Sequence, residues 1–118
     1  VIQDLHRPKD ARGRDIDLSS IAVLLDRIVR EWKPVGIWLF GSRARGDAGP
    51  ASDWDLLVIA PDDAPDVDHP LAGWRVRKGT GVRSDVILCR AIDFQDARDT
   101  PNTLAFEAAH NGILIYER

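Results

Sequence analysis

"LFGSRARGDAGPASDWDLLVI", residues 39–59, decides how this chain is read. An apolar run stops at Gly41-Ser42. Ten residues follow, rich in Arg, Gly and Ala. A second apolar run then restarts behind two aspartates, Asp53 and Asp55, that bracket a tryptophan. A loop that merely connected two strands would have no need of carboxylates at the mouth of the second one.

Each part of the stretch has its own chemistry. A glycine directly after a strand lets the backbone turn sharply and come close to a ligand. Ser42 next to it offers a hydroxyl and can open a helix, whose first amides point outward and attract anions such as phosphate. Arg43 and Arg45 add cationic donors beside that turn. A plain strand-to-helix turn would carry the same Gly-Ser. Asp53 and Asp55 are two apart on a strand, so both point to one face. Two such carboxylates repel unless a cation compensates them. Hard oxygen ligands in that arrangement suit Mg²⁺, which usually binds substrate phosphates as well. An isolated Asp-x-Asp is also what a solvated turn looks like. Asp85 lies within "VRSDVILC" (82–89), a run whose other members are suited to burial. A carboxylate there is costly unless it is paired or holds a metal. Pairing with Arg83 or Arg75 is the simplest account of it, and convergence with Asp53 and Asp55 is the other.

The rest of the chain sets the frame. Its 118 residues suit one domain with one core. At 44% hydrophobic and 30% charged residues, the composition is that of an ordinary globular protein. No apolar run approaches the roughly 18 residues of a membrane span. The first segment is polar and does not resemble a signal peptide, so no membrane partner is expected. There is no methionine, which places the initiator outside the quoted chain or removes it. The single cysteine, Cys89, cannot form an internal disulfide, and a reducing cytoplasm is the default compartment. The net charge of −3 argues against a long nucleic acid as the main partner. A local basic cluster could still bind one triphosphate.

Residues 1–16 are charged and aperiodic and read as a flexible or extended arm; residues 17–118 read as the domain. Ile21, Leu25, Ile28 and Trp32 recur at helical spacing, with Asp17 or Ser19 as the cap and Pro34 as the stop. "VGIWLF" (35–40), "DWDLLVIA" (53–60) and "VRSDVILC" (82–89) read as strands. Residues 69–78 allow a short helix. Asp93 or Thr100 can cap a further helix with Pro101 at its first position. That helix packs through Leu104, Ala105, Ala108 and Ala109 and stops at Gly112, before a last strand "ILIY" (113–116). The alternation points to an α/β or α+β class, a small mixed sheet flanked by helices. His6, His69 and His110 show no metal-ligand spacing. Cys89, Trp32 and Trp38 fit core positions, and Trp74 is either packing or a surface platform.

The ordered set is more specific than its parts. Strand, Gly-Ser, a ten-residue spacer, Asp-x-Asp and then Asp in a third strand resembles the DNA polymerase beta-like nucleotidyltransferase superfamily. Within it, "GSRARGDAGPASDWDLLVI" is similar to the minimal nucleotidyltransferases, and "DTPNTLAFEAAHNGILIYER" resembles their closing helix and strand. Trp54 stands where that group usually has an aliphatic residue. The resemblance implies transfer of a nucleoside monophosphate, AMP from ATP, to a hydroxyl. It implies that Asp53 and Asp55 bridge two Mg²⁺ ions, with Asp85 completing the acceptor-side metal and acting as base. Gly41 and Ser42 would hold the triphosphate, assisted by Arg45. The chain ends where the catalytic core closes, so the acceptor is expected to be presented by something else. The resemblance implies a HEPN toxin as that partner, with this chain as its antitoxin. Two alternatives stand beside it: a small-molecule transferase like the kanamycin enzymes, working as an oligomer, and a non-catalytic module that neutralises a partner by covering it.

Overall fold

The computed structural model describes residues 5–118. The elements run α1 (Ala22–Trp32), β1 (Gly36–Phe40), α2 (Ser42–Arg45), β2 (Trp54–Ala60), α3 (Ala72–Arg77), β3 (Ser84–Arg90), α4 (Ala91–Ala97), α5 (Leu104–Asn111) and β4 (Ile113–Glu117). One sheet has the order β3-β2-β1-β4. β1 is antiparallel to β2 and β4, and β2 is parallel to β3.

The parallel pair follows from the connection. A strand can return parallel to its neighbour only through a long crossover, and residues 61–83 with α3 supply it. The tight turn through α2 brings β2 back antiparallel to β1, with Phe40 opposite Asp55.

Two layers cover the sheet, and strand alternation sorts the side chains between them. On β2, Trp54, Leu56, Val58 and Ala60 join the core under α1 and α3. Leu57 and Ile59 join a smaller core under α4 and α5 with Phe94, Ala105 and Ala108. On β3, Val86 faces the first core, while Ile87 and Cys89 pack against the second. Asp55 and Asp85 have the parity of Leu57 and Ile87, so both belong to the α4/α5 face. Asp55 is half-buried there and Asp85 is exposed.

Asp17 caps the entry to α1. Its carboxylate accepts from the Ser19 amide at 2.9 Å and opens a 3-10 turn, Leu18–Ile21, that leads into the helix. Leu24, Leu25, Ile28 and Trp32 are buried along one stripe. Lys33 ends the helix in the left-handed region, with Pro34 next.

The C-terminal region differs from the expected single helix. Two helices form there. α4 starts at Ala91, before Asp93, and the Ile92 amide is met by the Asp62 carboxylate at 2.9 Å, from a loop 30 residues away. α5 is capped by Thr103, whose hydroxyl accepts from the Phe106 amide at 3.1 Å and donates to the Ala97 carbonyl at 2.9 Å. Pro101 lies in the turn before it. Thr103, rather than Asp93 or Thr100, is the cap, and the single proton of its hydroxyl is shared between the Thr100 carbonyl at 2.8 Å and the Ala97 carbonyl at 2.9 Å.

Of the arm expected over 1–16, residues 1–4 lie outside the described residues. From Leu5 onward the chain is bonded to the domain. Leu5 pairs with Tyr116, the His6 amide donates to the Ile115 carbonyl at 2.8 Å, and Pro8 is buried.

Candidate active site

The site is built where β1 ends and β2 and β3 begin. Gly41 leaves β1 with φ 76° and ψ −155°, a region essentially reserved for glycine. The Asp55 carboxylate lies directly against its Cα, in the space a Cβ would fill. Glycine is therefore required twice, by backbone angle and by close approach. The Ala44 and Arg45 amides both return to the Gly41 carbonyl, at 3.2 and 3.1 Å. The Ser42 and Arg43 amides precede the first bond of that turn.

Parallel pairing sets Asp55 directly beside Asp85. At the roughly 4.8 Å strand spacing these two carboxylates share one face and one local field. The Asp55 carboxyl is held above its ordinary range. Partial burial is the main cause, the Asp85 and Asp53 charges add to it, and Arg45 opposes them. Asp85 itself is exposed. Asp85 lies within the third strand as expected, but not among buried neighbours: β3 is an edge strand, and Asp85, its second residue, is exposed. Among the described residues it pairs with no arginine. Arg83 instead reaches across to Asp53 at 3.3 Å.

The two arginines of the loop play different parts. Arg43 turns inward: Nε and one terminal nitrogen donate to the Ser52 carbonyl at 3.1 and 2.7 Å, and the guanidinium sits 4.1 Å over the Trp54 ring. It is a clamp that holds the spacer onto the head of β2. Nothing local in the sequence separates this clamp from a phosphate ligand, because its partners are carbonyls nine residues on. Arg45 remains exposed and donates from Nε to Asp47 at 3.1 Å.

Among the described residues, no group of three His, Cys, Asp or Glu side chains is gathered to hold a metal by itself. Mg²⁺ asks for less: one or two carboxylates, several waters and substrate phosphates. Asp55 and Asp85 offer hard oxygens side by side, and the repulsion between them is what a cation would relieve. The donor set therefore fits Mg²⁺, with Asp53 available if it leaves Arg83. The site is an open edge. One described cleft, of about 340 Å³, lies away from it between α1 and α3, lined by Arg27, Trp32 and Arg75, while two others border the spacer at Arg43 and Trp54. Burial pushes the Cys89 thiol up, away from an activated nucleophile.

Comparison with known proteins agrees with this fold. A solved structure of a protein from Sulfolobus solfataricus, assigned as a nucleotidyltransferase, is similar to this chain with a TM-score of 0.54. The match covers 85% of each chain at 21% identity, so the likeness is one of fold. The search of curated proteins found no match. The family model for the nucleotidyltransferase domain matches residues 21–107, from the end of the 3-10 turn into α5. The chain belongs to the nucleotidyltransferase domain family.

Proposed function

We propose that this protein is a Mg²⁺-dependent nucleotidyltransferase that moves AMP from ATP to a hydroxyl on a partner protein. The observation that carries the proposal is the register of Asp55 beside Asp85, at the turn made by Gly41. An oxygen of the acceptor bonds to the α-phosphorus. The bond from that phosphorus to the bridging oxygen breaks, and pyrophosphate leaves. The outward amides of Ser42 and Arg43 receive the phosphates, with Arg45 beside them. Asp55 and Asp85 would hold the cation side, joined by Asp53 once it leaves Arg83, and an Asp85 carboxylate oxygen takes the proton of the acceptor hydroxyl. When bound, Mg²⁺ neutralises charge on the attacking and leaving oxygens of an in-line displacement.

The similarity to minimal nucleotidyltransferases supports a HEPN-type partner as the acceptor and an antitoxin role in the cytoplasm. The openness of the carboxylate edge is consistent with an acceptor presented by a second protein. The test is incubation with labelled ATP, Mg²⁺ and the product of the neighbouring gene, followed by intact-mass measurement. A gain of one or more AMP units on the partner is the expected result. An unlabelled partner, together with a labelled aminoglycoside offered in parallel, would sink the proposal.

A further inference from the structure

We infer that residues 10–12 of the N-terminal strap are a working part of the nucleotide site, and that Arg12 is a positioning residue for Arg45. This rests on Arg45 serving as a phosphate ligand, as proposed above.

The strap is fastened to the one element that carries the phosphate turn. The Ala11 amide donates to the Ala44 carbonyl at 2.8 Å, in the middle of α2. Gly46, which ends α2 at φ 85°, has the Arg12 and Asp10 side chains against it, at 3.0–3.1 Å from where a Cβ would stand. Only a glycine there gives both the left-handed turn and the room for the strap. Asp10 in turn shapes the strap, its carboxylate accepting from the Arg12 and Arg14 amides at 2.9 and 3.1 Å.

The charged contacts make a relay. Arg12 donates to one carboxylate oxygen of Asp47 at 2.8 Å, and Arg45 donates to the other at 3.1 Å. The Asp47 amide is tied to the Ser42 carbonyl at 3.0 Å, so its backbone is anchored to the same turn. Asp47 is thus shared between two guanidinium groups. With Arg12 present, Asp47 engages Arg45 through one oxygen and one Nε, and the other nitrogens of Arg45 stay available. Without Arg12, the full charge of Asp47 faces Arg45 alone. It would then compete with an incoming phosphate for that guanidinium. The pairs are half exposed, with side-chain exposures of 57% and 44% for Arg12 and Asp47. Such pairs add little to stability, so their effect belongs in ligand affinity rather than in folding.

The experiment titrates the full chain with Mg²⁺ and ATP by calorimetry and records melting temperature in parallel. Arg12→Ala should weaken ATP affinity about five- to tenfold, the size expected for one member of a coupled charged network. Its melting temperature should move little. Arg12→Lys should recover part of the affinity. Lys9→Ala removes an exposed strap pair that does not touch α2, Lys9–Asp15 at 2.6 Å, and should bind as the wild type does. The double variant Arg12→Ala/Asp47→Asn should bind no worse than the weaker single variant. Unchanged affinity in Arg12→Ala, equal losses in Arg12→Ala and Lys9→Ala, or additive losses in the double variant would overturn the inference. If Arg12→Ala does not fold, Arg12→Lys and Asp47→Asn carry the same comparison. A wild-type chain that binds no nucleoside triphosphate would overturn this inference and the proposed function together. A wild type that binds while Arg12→Ala matches it overturns the strap alone.

Discussion

The Asp55 carboxylate lies against the Cα of Gly41, where β1 turns into α2. The two residues face each other because Phe40, one residue before Gly41, is the antiparallel partner of Asp55. Gly41→Ala should therefore fail on two counts. The backbone strain alone costs about 1–3 kcal/mol, and the new methyl group meets the carboxylate. Asp55→Ala should partly rescue Gly41→Ala by vacating that space. Urea denaturation of both single variants and the double variant checks this; a strictly additive double variant would show that the contact does not matter.

Asp55 also sets a pH dependence. Its folded-state carboxyl titrates above the ordinary range, through burial first and then the Asp85 and Asp53 charges. A raised acid binds its proton more tightly when folded, so the folded state loses stability as pH rises past the unfolded value of 3.8 and through the folded one. At neutral pH the full penalty is present. Asp55→Asn should then melt higher than wild type near pH 7, and the advantage should shrink as pH falls toward 4. It should also abolish transfer. Asp53→Asn should likewise abolish transfer but melt close to wild type, since Asp53 gains its Arg83 partner at the surface. Melting curves across pH test the difference.

Asp85 separates catalysis from binding. It is exposed and unpaired with either neighbouring arginine, and its charge adds to the penalty on Asp55, so Asp85→Asn should leave the melting temperature unchanged or slightly raised near pH 7. ATP affinity should persist, while single-turnover transfer falls by about 10²–10⁴-fold, the usual contribution of general-base assistance. A fully active Asp85→Asn would remove it from the mechanism.

Arg43 has a structural duty in the site. Arg43→Ala should destabilise the domain by about 1–3 kcal/mol, losing bonds to the Ser52 carbonyl and the stacking on Trp54. Arg43→Lys should recover little, because an ammonium cannot make the forked contact. Denaturant midpoints measure both.

Mg²⁺ and ATP together should raise the melting temperature by more than the sum of their separate effects. A shared site couples the two binding events, and a ligand stabilises only the state it binds. An ATP shift indifferent to chelator would argue against cation-linked phosphate binding.

The sequence by itself determined the local parts. Alternation in 53–60 sorts Trp54, Leu56 and Val58 from Asp55, Leu57 and Ile59 without any knowledge of neighbours, because strand period is a property of the backbone. The stripe of α1 and the Asp17 cap of the 3-10 turn leading into it are legible for the same reason: their partners lie within a few residues. Gly41-Ser42 marks a turn that only glycine accommodates. Tertiary structure decided which local parts meet. The parallel pairing that sets Asp55 beside Asp85 joins residues 30 apart, and it made β3 an edge, which left Asp85 exposed. Arg83 was an available partner for Asp85 in sequence, yet its guanidinium reaches Asp53 on the neighbouring strand. Asp62 meets the start of α4 from another loop, and Arg12 meets Asp47 across 35 residues. Such contacts depend on the packing of whole layers, which no window of sequence encodes: a charged side chain takes the nearest opposite charge in space, and only the assembled sheet says which one that is.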